Sequence, residues 1–276
     1  MVNYNRERFV ESSIASVYSQ TTSDWELILV ENGSTDGSVE LIERRLRGQN
    51  QARLIKLTTR LTVAAAANIG IREARGNYIA RLDTDDLWLP EHMASHLNWL
   101  EKPENRGVGI CGAQCELINE TGSYLGEKSF PICNDDCRRA LWYRNPFCQS
   151  AVFVRHQCFA RLGYYDESFA LAEDLELWLR LSQGFELANL PAKLVRQRIW
   201  GGSLCMQQHR SLVEATVRAR RLAIERCAQG VGFLPALSLV GTWCMRWCPP
   251  NCARWLFYKV LLKWDSKTWK QPIPKI

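Results

Sequence analysis

Residues 77–86 read Asn77-Tyr78-Ile79-Ala80-Arg81-Leu82-Asp83-Thr84-Asp85-Asp86. The first six residues make a short, largely apolar run of strand type. The run ends in three carboxylates within four positions. Carboxylates packed that closely repel one another unless something positive neutralises them. One reading is a site for a hard divalent cation, since Mg²⁺ and Mn²⁺ prefer oxygen ligands and bridge a carboxylate to a diphosphate. The other is a solvated acidic turn in which Asp86 caps the helix that begins near Pro90 and reaches about Glu101.

Working outward, residues 62–74 are Ala-rich and helical, with Gly76 closing them. Residues 53–57 and 25–30 are strands. The second of these runs into Glu31-Asn32-Gly33-Ser34-Thr35-Asp36-Gly37-Ser38, a turn-rich loop in which Ser34, Thr35 or Asp36 can cap a helix to about Arg47. Residues 6–19 carry apolar side chains at helical period. Strand–helix alternation implies an α/β fold with a mostly parallel sheet covered by helices. Ligands of such sheets bind at strand carboxyl ends, so the loops at Glu31 and Asp83 should face one crevice. Further on, residues 108–118, 149–154 and 194–199 read as strands, and residues 173–181 and 206–227 as helices.

Composition bounds the rest. The chain has 276 residues, 46% hydrophobic and 23% charged, which suits a globular body. The net charge of +6 favours acidic partners such as phosphates, nucleotides or anionic lipid, but is too scattered to indicate nucleic acid. The opening residues are polar, so no signal peptide is expected and a cytoplasmic chain with reduced thiols is the default. The 11 cysteines read as buried thiols rather than a zinc site, because knuckle spacings and companion histidines are lacking. The longest apolar stretch, residues 233–245, is 13 residues long. A membrane-spanning helix needs about 20.

Several motifs in order resemble family 2 glycosyltransferases with the GT-A fold. They are Tyr4-Asn5-Arg6, the loop at residues 31–37, residues 63–68 ending in Asn68, residues 74–86, Gly163 to Glu167, and Ala172 to Arg180 with its Glu173-Asp174 pair. The resemblance covers about residues 2–210. It implies an inverting transfer of a sugar from a nucleotide diphosphate donor, most often UDP-linked, to a saccharide or lipid-linked acceptor. Asp85 would ligate Mn²⁺ or Mg²⁺, and Asp83 would assist the metal or contact the ribose. Glu31 would accept a hydrogen bond from the nucleobase, Tyr4 would pack near that base, and Asn68 belongs to the donor side. Asp174 would be the general base, with Glu173 supporting it or orienting the acceptor. The bland alternative for Glu173-Asp174 is an acidic pair favoured by a helix dipole. On this reading residues 1–105 form the nucleotide-sugar half, 106–229 the acceptor half and 230–276 an amphipathic tail.

The sequence departs from the family pattern in places. Glu31 stands where Asp is usual, and Gln149 and Trp200 stand where His is frequent. The His near 200 can complete a metal site, so the metal would be held more weakly or by water. Arg198 and residues 201–203 could still meet the diphosphate. The segment Gln197-Arg198-Ile199-Trp200 lacks the signature of processive synthases, so a single transfer is expected. Only Met1-Val2-Asn3 precedes Tyr4, where the family carries an apolar strand. Without that strand its neighbours lose backbone partners, so the expectation is a translation start upstream of Met1. The tail mixes Trp with Arg and Lys, which suits either a fold-back onto the body or peripheral contact with an anionic membrane. A catalytically poor nucleotide-sugar binder or partner subunit is the competing function. A nucleotidyltransferase would need a Gly- and Lys/Arg-rich phosphate loop after the first strand, and none is present.

Overall fold

A computed structural model describes residues 1–202 and 208–226. The elements in chain order are β1 (Val2–Asn3), α1 (Val10–Tyr18), β2 (Leu27–Asn32), α2 (Ser38–Leu46), β3 (Ala52–Leu57), α3 (Val63–Glu73), β4 (Tyr78–Ala80), β5 (Leu87–Trp88) and α4 (His92–Leu100). Then follow β6 (Val108–Ile118), β7 (Tyr124–Lys128), α5 (Asn134–Ala140), β8 (Phe153–Arg155), α6 (His156–Leu162), α7 (Glu173–Leu181), β9 (Glu186–Arg198) and α8 (His209–Arg226).

The first sheet, β1-β2-β3, is wholly parallel, as the strand–helix alternation requires. Every residue of β2 is buried, so its unbroken Leu-Ile-Leu-Val run packs on both faces. α3 lies against it through small side chains. Ala64, Ala66 and Ala67 are buried, and a Cβ added at Gly70 would come within 3.2 Å of Val30. Thr62 caps α3 by accepting from the Ala65 N–H at 3.1 Å. The helix ends on extended Ala74 rather than on Gly76.

The second sheet runs β4-β8-β6-β9-β5, with β7 on β6. β6 and β9 are parallel, and the remaining pairs are antiparallel. Two expectations change here. Residues 149–151 form a 3₁₀ turn before β8, in which Ser150 and Ala151 are buried in succession instead of alternating. The strand expected at 194–199 is the end of the 13-residue β9, whose register shifts beside Pro191 hid its length. α7 buries Leu175, Leu177, Trp178, Leu179 and Leu181. α8 docks on it, and buried Glu176 is paired with Arg180 at 2.6 Å and Arg226 at 2.8 Å. A buried charge persists only with such partners.

Among the described residues, no helix is long and apolar enough to cross a membrane. No group of three ligating side chains suited to zinc is present there either. Cys111, Cys115, Cys137, Cys148 and Cys158 are buried free thiols. The tail from residue 230, and Cys244, Cys248 and Cys252 within it, lie outside the described residues.

His92 is fully buried, its ring 4.6 Å from that of Trp88 and 4.6 Å from that of His96. Neither of its ring nitrogens has a hydrogen-bond partner among the described residues. Burial, then the neighbouring His96, push its pKa well below the ordinary 6.5. The folded chain therefore cannot take the proton that the unfolded chain takes below pH 6.5, and stability falls as pH falls. His92→Phe should raise stability by about 1 kcal/mol at pH 7.5, since an unpaired buried polar group costs on that order. The gap should widen by about 1.4 kcal/mol for each pH unit below 6.5. Urea unfolding at pH 7.5 and 5.5 measures both, and an equal difference at the two pH values would refute the account.

Candidate active site

Three loops at strand carboxyl ends converge. Asn5, following β1, has φ 52°, a left-handed conformation that Asn tolerates. Its side chain and backbone clasp the loop after β2. The Thr35 N–H donates to Asn5 Oδ1 at 2.8 Å, and the Asn5 N–H donates to Ser34 Oγ at 3.0 Å. Glu31 is buried and folds its carboxylate back onto this loop, accepting from the Gly33 and Ser34 N–H groups at 3.1 and 2.8 Å. Gly33 has φ +74°, and a side chain there would press on Arg60 N at 3.0 Å. Tyr4 stacks under the Arg60 guanidinium, 3.9 Å from the ring centre. Glu31 and Tyr4 thus shape one wall, where a base or phosphate could meet a ring and a cation.

The acidic cluster divides its labour. Asp83 is partly exposed and accepts from Arg81 Nη2 at 3.1 Å. Asp85 is mostly buried, with Arg6 Nε 3.3 Å away and the Trp200 Nε1–H donating to it at 2.9 Å. Burial, then the charge of Asp83, raise its pKa against the opposing effects of Arg6 and Trp200. Asp86 is not a helix cap. Its carboxylate accepts from Ser150 Oγ at 2.5 Å and from the Arg198 N–H at 2.7 Å, tying the cluster to β9. Arg198 is equally structural. Its Nε donates to the Asp85 carbonyl, and its Nη1 donates to the carbonyls of Asn119 and Glu120. Among the candidates, then, Asp83 and Asp85 reach the crevice, while Arg198 holds their loop from beneath.

Asn68 also positions. Its Nδ2 donates to the Tyr165 carbonyl and to Glu167, both at 2.9 Å, and its Oδ1 accepts from the Tyr165 N–H at 3.0 Å. This fastens α3 to the segment that leads into α7. That segment ends on Ala172, at φ 56°, a strained left-handed turn for a non-glycine residue. The turn delivers Glu173 and Asp174 to the helix N-terminus. Asp174 Oδ2 accepts from Asn145 at 2.6 Å and Oδ1 from the Leu175 N–H at 2.7 Å, so the carboxylate is held in one orientation. Burial raises its pKa against both hydrogen bonds. Burial, then the Asp174 charge, push Glu173 up to about 8.

The charge of Asp83 contributes to raising both Glu173 and Asp174, so the two acidic groups lie near each other. Between them lies Arg81, almost wholly buried, which interacts with Asp83, Tyr165 and Glu173. Gln149, in the place of a frequent His, donates to Tyr165 Oη at 3.1 Å. Sequence reasoning missed Arg6, Arg81, Asn145 and Tyr165. Arg81 left a signal as a cation inside an otherwise apolar strand run, and Arg6 and Tyr165 lie within the motifs Tyr4-Asn5-Arg6 and Gly163 to Glu167, although no role was assigned to them.

The sequence pattern of glycosyl transferase family 2 matches residues 1–156. The chain belongs to glycosyl transferase family 2. This family 2 member is 28% identical over 225 residues to the amylovoran biosynthesis glycosyltransferase AmsE of Erwinia amylovora, covering 80% of this chain and 83% of that one. Its fold is GT-A. It is similar to S. aureus TarS in complex with UDP-GlcNAc at TM-score 0.68 and 14% identity, covering 95% of this chain and 75% of that one. Against a longer TarS chain the match spans 45% of the neighbour's length. The mannosyltransferase PcManGT of Pyrobaculum calidifontis, in complex with GDP-Man and Mn²⁺, matches at TM-score 0.63 and 17% identity, covering 97% and 75%.

The donor set bears on a metal. Among the described residues no three ligating side chains gather. Asp83 and Asp85 offer hard oxygen donors of the kind that Mg²⁺ or Mn²⁺ would accept.

Proposed function

We propose that this transferase is inverting. It would move a sugar from a nucleotide diphosphate donor, UDP-linked, to a hydroxyl of a saccharide or lipid-linked acceptor in cell-surface polysaccharide or glycolipid synthesis. The observation that supports the reading is the contact of the acidic loop with the turn at residues 149–151: the Asp83 N–H donates to Ser150 Oγ at 3.2 Å, and the adjacent Gln149 donates at 3.1 Å to Tyr165 Oη, in the segment that leads to Glu173 and Asp174. Asp83 and Asp85 would hold Mn²⁺ or Mg²⁺, which supplies a positive charge that stabilises the departing diphosphate. Asp174 removes the acceptor hydroxyl proton as that oxygen attacks the anomeric carbon from the side opposite the leaving nucleotide. Asn145 and the Leu175 N–H keep the Asp174 carboxylate aimed during that transfer. Tyr4 and Glu31 line the nucleotide wall. Release of UDP from a UDP-sugar in the presence of Mn²⁺ tests the reading, and a panel of nucleotide sugars by thermal shift selects the donor. Cytoplasmic placement, with the tail on the inner face of the membrane, belongs to the same proposal. Pelleting with anionic vesicles of the whole chain, but not of residues 1–230, checks it.

Glu173 and Asp174 should differ sharply. With its pKa near 8, Glu173 is mostly protonated at pH 7 and gains its charge as pH rises through 8. Glu173→Gln mimics the neutral form, so kcat at pH 7 should stay within about tenfold of the parent. Above pH 8 the parent should change with ionisation of Glu173, and the variant should lack that change. A pH–rate profile of both decides. Identical profiles would remove Glu173 from the account.

One observation favours a second reading. Arg6 and Trp200 both engage Asp85, the residue meant for the metal. A catalytically poor nucleotide-sugar binder or partner subunit would retain such contacts. Nucleotide binding without turnover of any donor in the Mn²⁺ assay would favour it.

A further inference from the structure

Asp83 and Asp85 each hold a guanidinium. Asp83 pairs with Arg81 at 3.1 Å and Asp85 with Arg6 at 3.3 Å. The two cations are not equivalent. The Arg81 side chain is 5% exposed, and its charge also faces Tyr165 and Glu173, so it is fixed inside the protein. The Arg6 side chain is 18% exposed and comes from the turn between β1 and α1. Of the two, Arg6 is the one that a ligand can reach.

Arg6 is also held so that it can change partners without leaving the site. Its N–H donates to Ser38 Oγ at 3.1 Å, and its Nη1 donates to the Tyr4 and Asn5 carbonyls at 3.2 and 3.1 Å. Its guanidinium lies 5.0 Å from the centre of the Trp200 ring, which packs edge-on against Phe9 at 4.9 Å. None of these contacts needs Asp85. The ion pair with Asp85 does, and a partly exposed pair is weak enough to exchange. The Trp200 Nε1–H donates at 2.9 Å to the same oxygen of Asp85 that faces Arg6, so the carboxylate keeps an orienting partner when the guanidinium departs. Planar guanidinium donors match phosphate oxygens as well as they match a carboxylate.

We infer that Arg6 serves two acids in turn: without a donor it neutralises Asp85, and once Asp85 is committed to a divalent cation it pairs with the diphosphate of the nucleotide. Arg6 is then a phosphate-binding residue that Asp85 holds ready. It also competes with a free divalent ion for Asp85, and that competition is relieved by the diphosphate that gives the guanidinium its new partner. The inference rests on the metal reading of Asp83 and Asp85.

Calorimetry of Arg6→Gln at pH 7.5 tests this, with Mn²⁺ alone and with UDP in saturating Mn²⁺. Affinity for Mn²⁺ alone should rise at least about threefold, because a competing cation is gone. Affinity for UDP should fall about tenfold, the size of a lost charge-assisted contact. A residue that merely shapes the loop would weaken both. Arg6→Lys keeps the charge and should stay within about twofold of the parent for Mn²⁺ alone. Arg8→Gln makes the same change in net charge at a residue paired with Glu120 at 2.8 Å. It should leave both affinities within about twofold, since exposed charges away from the site are screened. Should Arg6→Gln fail to fold, Arg6→Met, whose apolar stem can still lie against Trp200, should give the same two shifts. Any result in which the two affinities fail to move in opposite directions overturns the inference, and Mn²⁺-dependent binding of UDP by the parent then leaves the metal reading standing. A parent that binds UDP equally in Mn²⁺ and in EDTA would sink the metal reading and this inference with it.

Discussion

Asp174→Asn should lower kcat by about 10²- to 10⁴-fold, the range that a positioned general base supplies. The exchange is isosteric, and it removes the charge whose burial raises the Asp174 pKa. The fold should therefore keep its melting temperature. The Leu175 N–H can still donate to the amide oxygen of the variant, so the side chain stays in place. Nucleotide affinity, which the proposal assigns to the wall at Tyr4 and Glu31, should shift by no more than about twofold. Steady-state UDP release with acceptor present, calorimetric UDP binding and a melting curve read the three quantities together. A variant that retains a third of the parent's kcat would exclude Asp174 as the base. In the parent, kcat should rise with pH through an acidic limb placed above the ordinary carboxylate range, because Asp174 acts deprotonated and its burial raises the pH at which it loses the proton.

Asp85→Asn is the second large effect. Removing one carboxylate from a two-carboxylate donor set should cost about 10³-fold in kcat/KM, equivalent to the several kcal/mol a metal contributes to a departing diphosphate. Asn preserves an acceptor for the Trp200 Nε1–H, which now donates to Asp85 at 2.9 Å. Arg6 loses its partner at 3.3 Å but keeps its donations to the Tyr4 and Asn5 carbonyls. The informative readout is a thermal shift by UDP with and without Mn²⁺. The parent should be stabilised more when Mn²⁺ is present, and the variant should respond equally in both. A parent indifferent to Mn²⁺ and to EDTA would defeat the metal assignment, and would leave Arg6 as the cation that faces the diphosphate.

The carboxylates of the candidate site were legible before any coordinates. Carboxylate clusters at strand ends and helix starts announce themselves by repulsion and by the dipole. Roles were harder to read than positions. Asn68 and Arg198 were expected on the donor side, and in the structure their donors hold the backbones of residues 165 and 119–120. Asp86 looked like a cap and proved to be the clamp between the acidic loop, Ser150 and β9. Side-chain partners far apart in the chain cannot be read from periodicity, because the periodicity reports only which face is buried.

By itself, the sequence determined the strand–helix alternation of the first hundred residues, the parallel first sheet, the acidic loop after β4 and the helix that begins at Glu173. These follow from local apolar period and turn chemistry, which act within a few residues. Only the tertiary structure decided that Asp83 and Glu173 feel each other's charge and that Arg6 and Trp200 meet at Asp85. Those depend on how two sheets are set side by side, and that placement comes from packing summed over the whole chain.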